Sequence, residues 1–273
     1  MDTVLAIGLD SVSFILTLLL VTLGLVIIYG MINVINMAHG ELFLLGAYTL
    51  VAAQAAGAPF WLGVLAAPVV VGIAGLLIEQ LVIRHVYGRP IDTILATWGL
   101  SIAIKQGIII LFGPAAISIE NPVPAYRLVI MAVAALLALA TYLVIYRTSI
   151  GLQIRSVISN RAMAGSLGVN TRLMDRGTFA VGAALAGIAG AVMAPIMSVD
   201  PQMGVGFLIP AFLAVLTGGL NSLVGAIFGA GVIGGSTSIL SSGLSQASAQ
   251  IVVFLLAIVI IRLFSNGLSK EFR

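Results

Sequence analysis

Charge is scarce in this 273-residue sequence: 8% of residues are Asp, Glu, Lys or Arg, against 61% hydrophobic. An ordinary soluble domain carries roughly 25% charged residues, so that class is excluded. Cysteine is absent, which removes disulfide frameworks and thiolate metal sites. Histidine occurs only as His39 and His85; with Glu41 the former offers two metal ligands where a site needs three or four. No G-x-x-x-x-G-K-[ST] phosphate loop and no G-x-S-x-G elbow occurs, so the chain is not expected to hydrolyse ATP or act as a serine hydrolase. No cofactor and no catalytic residue are expected. The first ten residues contain Asp2 and Asp10 but no cation, unlike a signal peptide, and the first apolar segment is expected to be retained.

What remains is apolar sequence in long uninterrupted runs. Residues 11–40, 42–78, 128–146, 177–199 and 201–261 hold no charge, and about 20 residues suffice for a helix to cross the hydrocarbon core. These runs lack the alternation of a β-barrel. The expected fold is therefore an all-α polytopic membrane bundle forming one domain over 1–273. Gly, Pro and polar breaks suggest nine crossings, near 11–31, 38–56, 60–83, 92–112, 127–146, 175–198, 207–219, 222–240 and 247–264. Arg84, Arg89, Arg147, Arg155, Arg161, Arg172, Arg176, Arg262, Lys270 and Arg273, ten of the twelve basic residues, then share one side. The positive-inside rule makes that side cytoplasmic, with the N-terminus outside and the C-terminus inside. The net charge of +3 reports topology rather than a nucleic-acid partner.

Several segments depart from plain spans. Residues 207–219 are too short for a full crossing and contain Pro210, which suggests a broken or re-entrant helix. Gly182, Ala186 and Gly190, Gly225 and Gly229, and Gly231 and Gly235 are spaced for close helix packing. Residues 147–176 form the only long cytoplasmic connection. Ile154, Val157 and Ile158 give it an apolar face, Gly165 and Gly168 can end a short helix, and Asn170 or Thr171 can cap the next. Such a helix lies on lipid headgroups or docks a cytoplasmic partner. Glu79 is within helical reach of Arg84 and His85 and is expected to pair with them. Lys105 either snorkels toward the outer headgroups or faces a polar cavity.

The densest polar cluster is "NVINMAHGELF", residues 33–43, which topology puts at the cytoplasmic end of the first two crossings. Asn36 can cap a helix break there, with His39 and Glu41 bonding exposed backbone amides. The same groups can instead exchange hydrogen bonds with a small polar solute.

"YGMINVINMAHGELFLLGAY" resembles the signature of ABC importer permeases of the branched-chain amino-acid type, with its N-x-A-H-G-E segment after the first long span. "SIGLQIRSVISNRAMAGSLGVNTRLMDRGTFAVGAALAGIAGAV" is similar to that family's cytoplasmic loop and following helix, and "LAVLTGGLNSLVGAIFGAGVIGG" to its late Gly-rich helices. "EQLVIRHVYGRPIDTILATWGLSIAIKQ" looks like the urea and short-chain amide branch, although Lys105 stands where that branch carries an uncharged amide. The resemblance implies a bacterial inner-membrane permease that pairs with a second, related permease. Its further partners would be two cytoplasmic ATPases and a periplasmic solute-binding protein, which delivers urea or a short amide, or alternatively a branched-chain amino acid.

On this reading Asn33, Asn36, His39, Glu41, Thr97, Trp98 and Lys105 are pathway candidates. Arg155, Ser159, Asn160, Arg161, Ala162, Ala164, Gly165, Leu167 and Gly168 form the ATPase-coupling surface. A passive channel for urea and an ion-coupled transporter using Glu41 are the other classes the sequence permits.

Overall fold

A computed structural model describes residues 2–120, 126–220 and 222–263; the expected cytoplasmic cations Lys270 and Arg273 lie outside the described residues. Among the described residues eleven α-helices follow one another: α1 (Asp2–Ile32), α2 (His39–Ala55), α3 (Phe60–Leu81), α4 (Pro90–Phe112), α5 (Tyr126–Arg147), α6 (Ser149–Ser159), α7 (Arg161–Ser166), α8 (Thr171–Met193), α9 (Met203–Gly218), α10 (Leu223–Ser241) and α11 (Gln246–Leu263). Among the described residues the only extended pairing is one bridge between Ile117 and Val199. Helix is the natural answer for such apolar sequence, because it satisfies every backbone group within the segment.

Each of the nine expected apolar segments coincides with one helix, while α6 and α7 occupy the long connection. Among the described residues six helices are long and apolar enough to cross a membrane: α1, α3, α4, α5, α8 and α10. The segment expected at 207–219 begins earlier, at Met203, and is still short, with Pro210 inside it. The helix starts follow local chemistry. Thr148, Asn160, Asn170 and Ser222 each accept a backbone N–H from the first turn of α6, α7, α8 and α10. Pro90 opens α4, where a missing N–H costs nothing.

Helix α8 is the hub, packed against α1, α2 and α3, while α1 also meets α5, α9 and α10. Small residues set these distances. A Cβ on Gly24 of α1 would meet the carbonyl oxygen of Gly182 of α8 at 2.5 Å, and one on Gly40 would run into the backbone of Gly204. Helices α4 and α5 are mostly exposed, with Ile102, Ile110, Leu111 and Leu136 bare on their outer faces. The small-residue pair at Gly231 and Gly235 does not serve close packing, since a Cβ on Gly231 meets nothing within 4 Å; the neighbouring Gly234 lies against Ile15 instead.

Candidate functional site

The break between α1 and α2 is longer and deeper than a turn. Asn33 has φ 55, a left-handed conformation that Asn tolerates better than most residues, and it turns the chain back as α1 ends. Residues 33–36 carry no regular structure and lead through a turn at 37–38 into α2, whose first residue lies beside the middle of α1: His39 Nε2 is 3.0 Å from the carbonyl oxygen of Val21. Val21 is eleven residues before Ile32, or roughly 16 Å along the helix axis. The stretch starts where α1 ends and from there runs back along that helix instead of turning over at its tip. The polar stretch is a re-entrant strap, and its depth explains its composition, because non-helical backbone inside a bundle must be satisfied by nearby side chains.

The supporting groups come from the strap and from α4. Asn36 Oδ1 accepts from the Ala38 N–H at 3.0 Å, one residue before the helix. Thr97 Oγ1 accepts from the Met37 N–H at 3.1 Å and donates to the Thr93 carbonyl at 2.8 Å. One turn further along α4, Ser101 donates to Glu41 Oε1 at 2.9 Å. His39 therefore bonds a backbone carbonyl and Glu41 a hydroxyl, not the backbone amides expected. Asn36, His39, Glu41 and Thr97 are all buried. Each of the first three keeps one polar atom without a hydrogen-bond partner: Asn36 Nδ2, His39 Nδ1 and Glu41 Oε2. Asn33 and Trp98 are exposed, and Lys105 Nζ donates to Gln202 Oε1 at 3.3 Å. The pathway candidates thus divide into a buried group, Asn36, His39, Glu41 and Thr97, and three residues outside it, Asn33, Trp98 and Lys105.

The long connection at 147–176 is an elbow. Helix α6 buries Ile154 and Val157 and lays Arg155 over the Tyr146 ring at 5.3 Å; it ends at Ser159, and Asn160 caps α7. The expectation of one short helix ended by Gly165 and Gly168 becomes two helices hinged at Asn160. Arg155, Ser159, Asn160, Arg161, Ala162, Gly165, Leu167 and Gly168 are exposed, whereas Ala164 is buried. Met163 and Leu167 add bare apolar surface.

Sequence reasoning missed how this elbow is tied down. Arg161 makes a bidentate contact with Asp175 of α8, with Nη1 to Oδ1 at 3.0 Å and a second bond from Nη2 to Oδ2. The same Nη1 lies 3.5 Å from the Met31 carbonyl at the end of α1. The hydrogen-bonded Asp175 carboxylate holds the Arg161 guanidinium above its ordinary range. Glu79 does not pair with Arg84 or His85, because the chain leaves α3 at Val82 and turns both outward. It accepts instead from Tyr87 Oη at 2.8 Å and faces Arg176 Nε at 3.5 Å. Burial and that carboxylate push the Tyr87 phenol up, which keeps it a donor.

Comparison with known proteins adds an independent line. The family described as branched-chain amino acid transport system / permease component matches residues 8–262. The high-affinity branched-chain amino acid transport system permease protein LivH of Salmonella typhimurium is 27% identical, over 92% of this chain and 91% of its own; LivH of Escherichia coli K12 is similar to the same extent. BraD of Pseudomonas aeruginosa, likewise a high-affinity branched-chain amino acid transport system permease protein, is also 27% identical, over 92% and 91% of the two chains. Among solved structures, PsaBC from Streptococcus pneumoniae in complex with Fab has a similar fold, with a TM-score of 0.54 at 14% identity, covering 96% of this chain and 92% of that one. The chain belongs to the branched-chain amino acid permease family of ABC importers and is a multi-pass protein of the inner membrane.

Proposed function

We propose that this chain is one of two paired permease subunits in an ATP-driven importer of branched-chain amino acids, working with two cytoplasmic ATPases and an external solute-binding protein. The observation that carries this reading is the match to branched-chain amino acid transport permeases over more than nine-tenths of both chains. It favours the amino acid over urea or a short amide, for which only the stretch at 79–106 speaks. The exposed elbow at α6–α7 supplies an ATPase-docking surface that neither a passive channel nor an ion-coupled carrier needs.

Nine crossings with the N-terminus outside fit the two ends of the bundle. Arg161, Asp175, Glu79, Arg176 and the end of α1 meet at the elbow end. Asp10 and Arg127 meet at the other. ATP-driven movement of the elbow opens and closes the strap, whose unpaired Asn36 Nδ2, His39 Nδ1 and Glu41 Oε2 are the polar atoms a passing solute meets. Asn33, Trp98 and Lys105 then flank this route from the exposed side.

Reconstitution with partner ATPases and binding protein should give leucine uptake that requires ATP and outpaces urea uptake. Urea flux through the chain alone would instead establish a channel, and uptake abolished by an uncoupler at constant ATP would establish ion coupling. In that assay Asn36→Ala and His39→Ala should each lower uptake at least about tenfold at normal membrane abundance. Loss of the Asn36 hydrogen bond to the Ala38 N–H itself costs roughly 1–3 kcal/mol. Normal uptake in both variants would remove the strap from the pathway.

A further inference from the structure

At the end of the bundle away from the elbow, a cavity of about 500 Å³ opens among α1, α5, α8, α9, α10 and α11, a size common for small-molecule sites. Arg127 starts α5, whose far end leads into the elbow. Two charged side chains line the cavity, Asp10 and Arg127, paired with Arg127 Nε 2.5 Å from Asp10 Oδ1. One wall is apolar, with Phe14 and Phe207, whose ring centroids lie 5.4 Å apart, beside Ile196 and Met197; Gln250 and four hydroxyl side chains complete the lining. Hydroxyls are present but engaged. Ser13 donates to the Leu9 carbonyl at 2.8 Å, and Thr237 to that of Ile233 at 2.7 Å.

One acid, one base and an aromatic-aliphatic wall form a recognisable combination. The resident ion pair is weak, because 43% of the Arg127 side chain and 46% of the Asp10 side chain meet water, and pairs so exposed contribute little. A zwitterion entering between them replaces that single contact with two charge-assisted hydrogen bonds, ammonium to carboxylate and carboxylate to guanidinium. An aliphatic side chain then covers the apolar wall. Urea can hydrogen-bond to both groups but neutralises neither, and it leaves the wall uncovered.

We propose that this cavity is the permease's own receiving site for an aliphatic α-amino acid, with Asp10 taking the ammonium group and Arg127 the carboxylate. The proposal rests on the branched-chain amino-acid reading above and adds to it a place and an orientation for the solute.

The absence of cysteine provides a direct test in the assembled importer. Met197→Cys puts one thiol of this chain on the cavity wall, and its modification by a small thiosulfonate is followed by mass spectrometry. Leucine should slow that reaction at least about threefold. Leucinamide, lacking the carboxylate, and 4-methylpentanoate, lacking the ammonium, should each protect less. Protection should vanish with Asp10→Asn or Arg127→Gln, and each of these should lower leucine uptake at least about tenfold. The exchanged pair Asp10→Arg with Arg127→Asp restores the ion pair but inverts the charge order; it should keep the importer assembled without restoring uptake. A thiol that leucine leaves unprotected in a leucine-transporting Met197→Cys complex, or uptake rescued by the exchanged pair, would overturn the receiving site while leaving the importer reading intact. If the unaltered importer moves urea and not leucine, the branched-chain amino-acid reading itself fails.

Discussion

Gly46→Ala is expected to remove most folded permease from the membrane, although it adds a single methyl group. That methyl would overlap the carbonyl oxygen, the carbonyl carbon and the Cα of Gly187, all backbone atoms of α8. No rotamer change can relieve such a contact, so α2 or α8 must move. Helix α8 cannot yield on its own account, because a Cβ on Gly187 already falls against Val71 of α3, and α8 contacts α1 as well. The cost should exceed the roughly 1–3 kcal/mol of ordinary overpacking, in which side chains share the strain. Gly231→Ala is the matched control: its new Cβ has nothing within 4 Å, and removing a mid-helix glycine gains roughly 0.5–1 kcal/mol. Fluorescence-detected size exclusion of fusion proteins should show Gly46→Ala depleted and aggregated, with Gly231→Ala at or above the unaltered level. Equal peaks would mean that α2 and α8 do not depend on this close approach.

The helices are legible in the sequence because apolar runs bounded by charge or glycine report membrane helices directly, and all nine expected segments are helical. Their tertiary meaning is less accessible. "NVINMAHGELF" stands out as polar, yet nothing local in it states that the chain doubles back beside Val21. That depends on Thr97 and Ser101, which lie 60 residues from their partners. Glycine spacing identifies Gly182 and Gly190 but cannot separate them from Gly231, because the facing helix decides whether a small residue is needed. Proximity in sequence assigns Glu79 to the nearest cations, and the turn at Val82 carries those away. Asp10 and Arg127 meet only through the packing of α1 and α5. Charge pairing across a bundle therefore requires the fold, whereas the bundle itself follows from composition.

Arg161→Ala should cost more uptake than Asp175→Ala, although both remove the same contact. Only 2% of the Asp175 side chain is exposed, against 45% of Arg161. Losing Arg161 strands a carboxylate inside the bundle and also frees the Met31 carbonyl at the end of α1. Losing Asp175 leaves a guanidinium that can turn to water. The penalty for Arg161→Ala should fall below the about 3–5 kcal/mol of breaking a fully enclosed pair, since water already reaches its outer half. Beyond stability, Arg161 hydrogen-bonds from the elbow to both α8 and the end of α1, where the strap begins. In the reconstituted importer, Arg161→Ala should leave ATP hydrolysis running while leucine uptake falls about tenfold or more, and Asp175→Ala should show the same uncoupling more weakly. Adding Asp175→Asn to Arg161→Ala should recover part of the stability, because no buried charge is then stranded, but not the coupling, because the elbow is still untied. Hydrolysis and uptake falling in proportion would show that the clasp only holds the fold. Recovery of uptake in the double variant would show that the stranded charge, rather than the lost link to α1, had stopped transport.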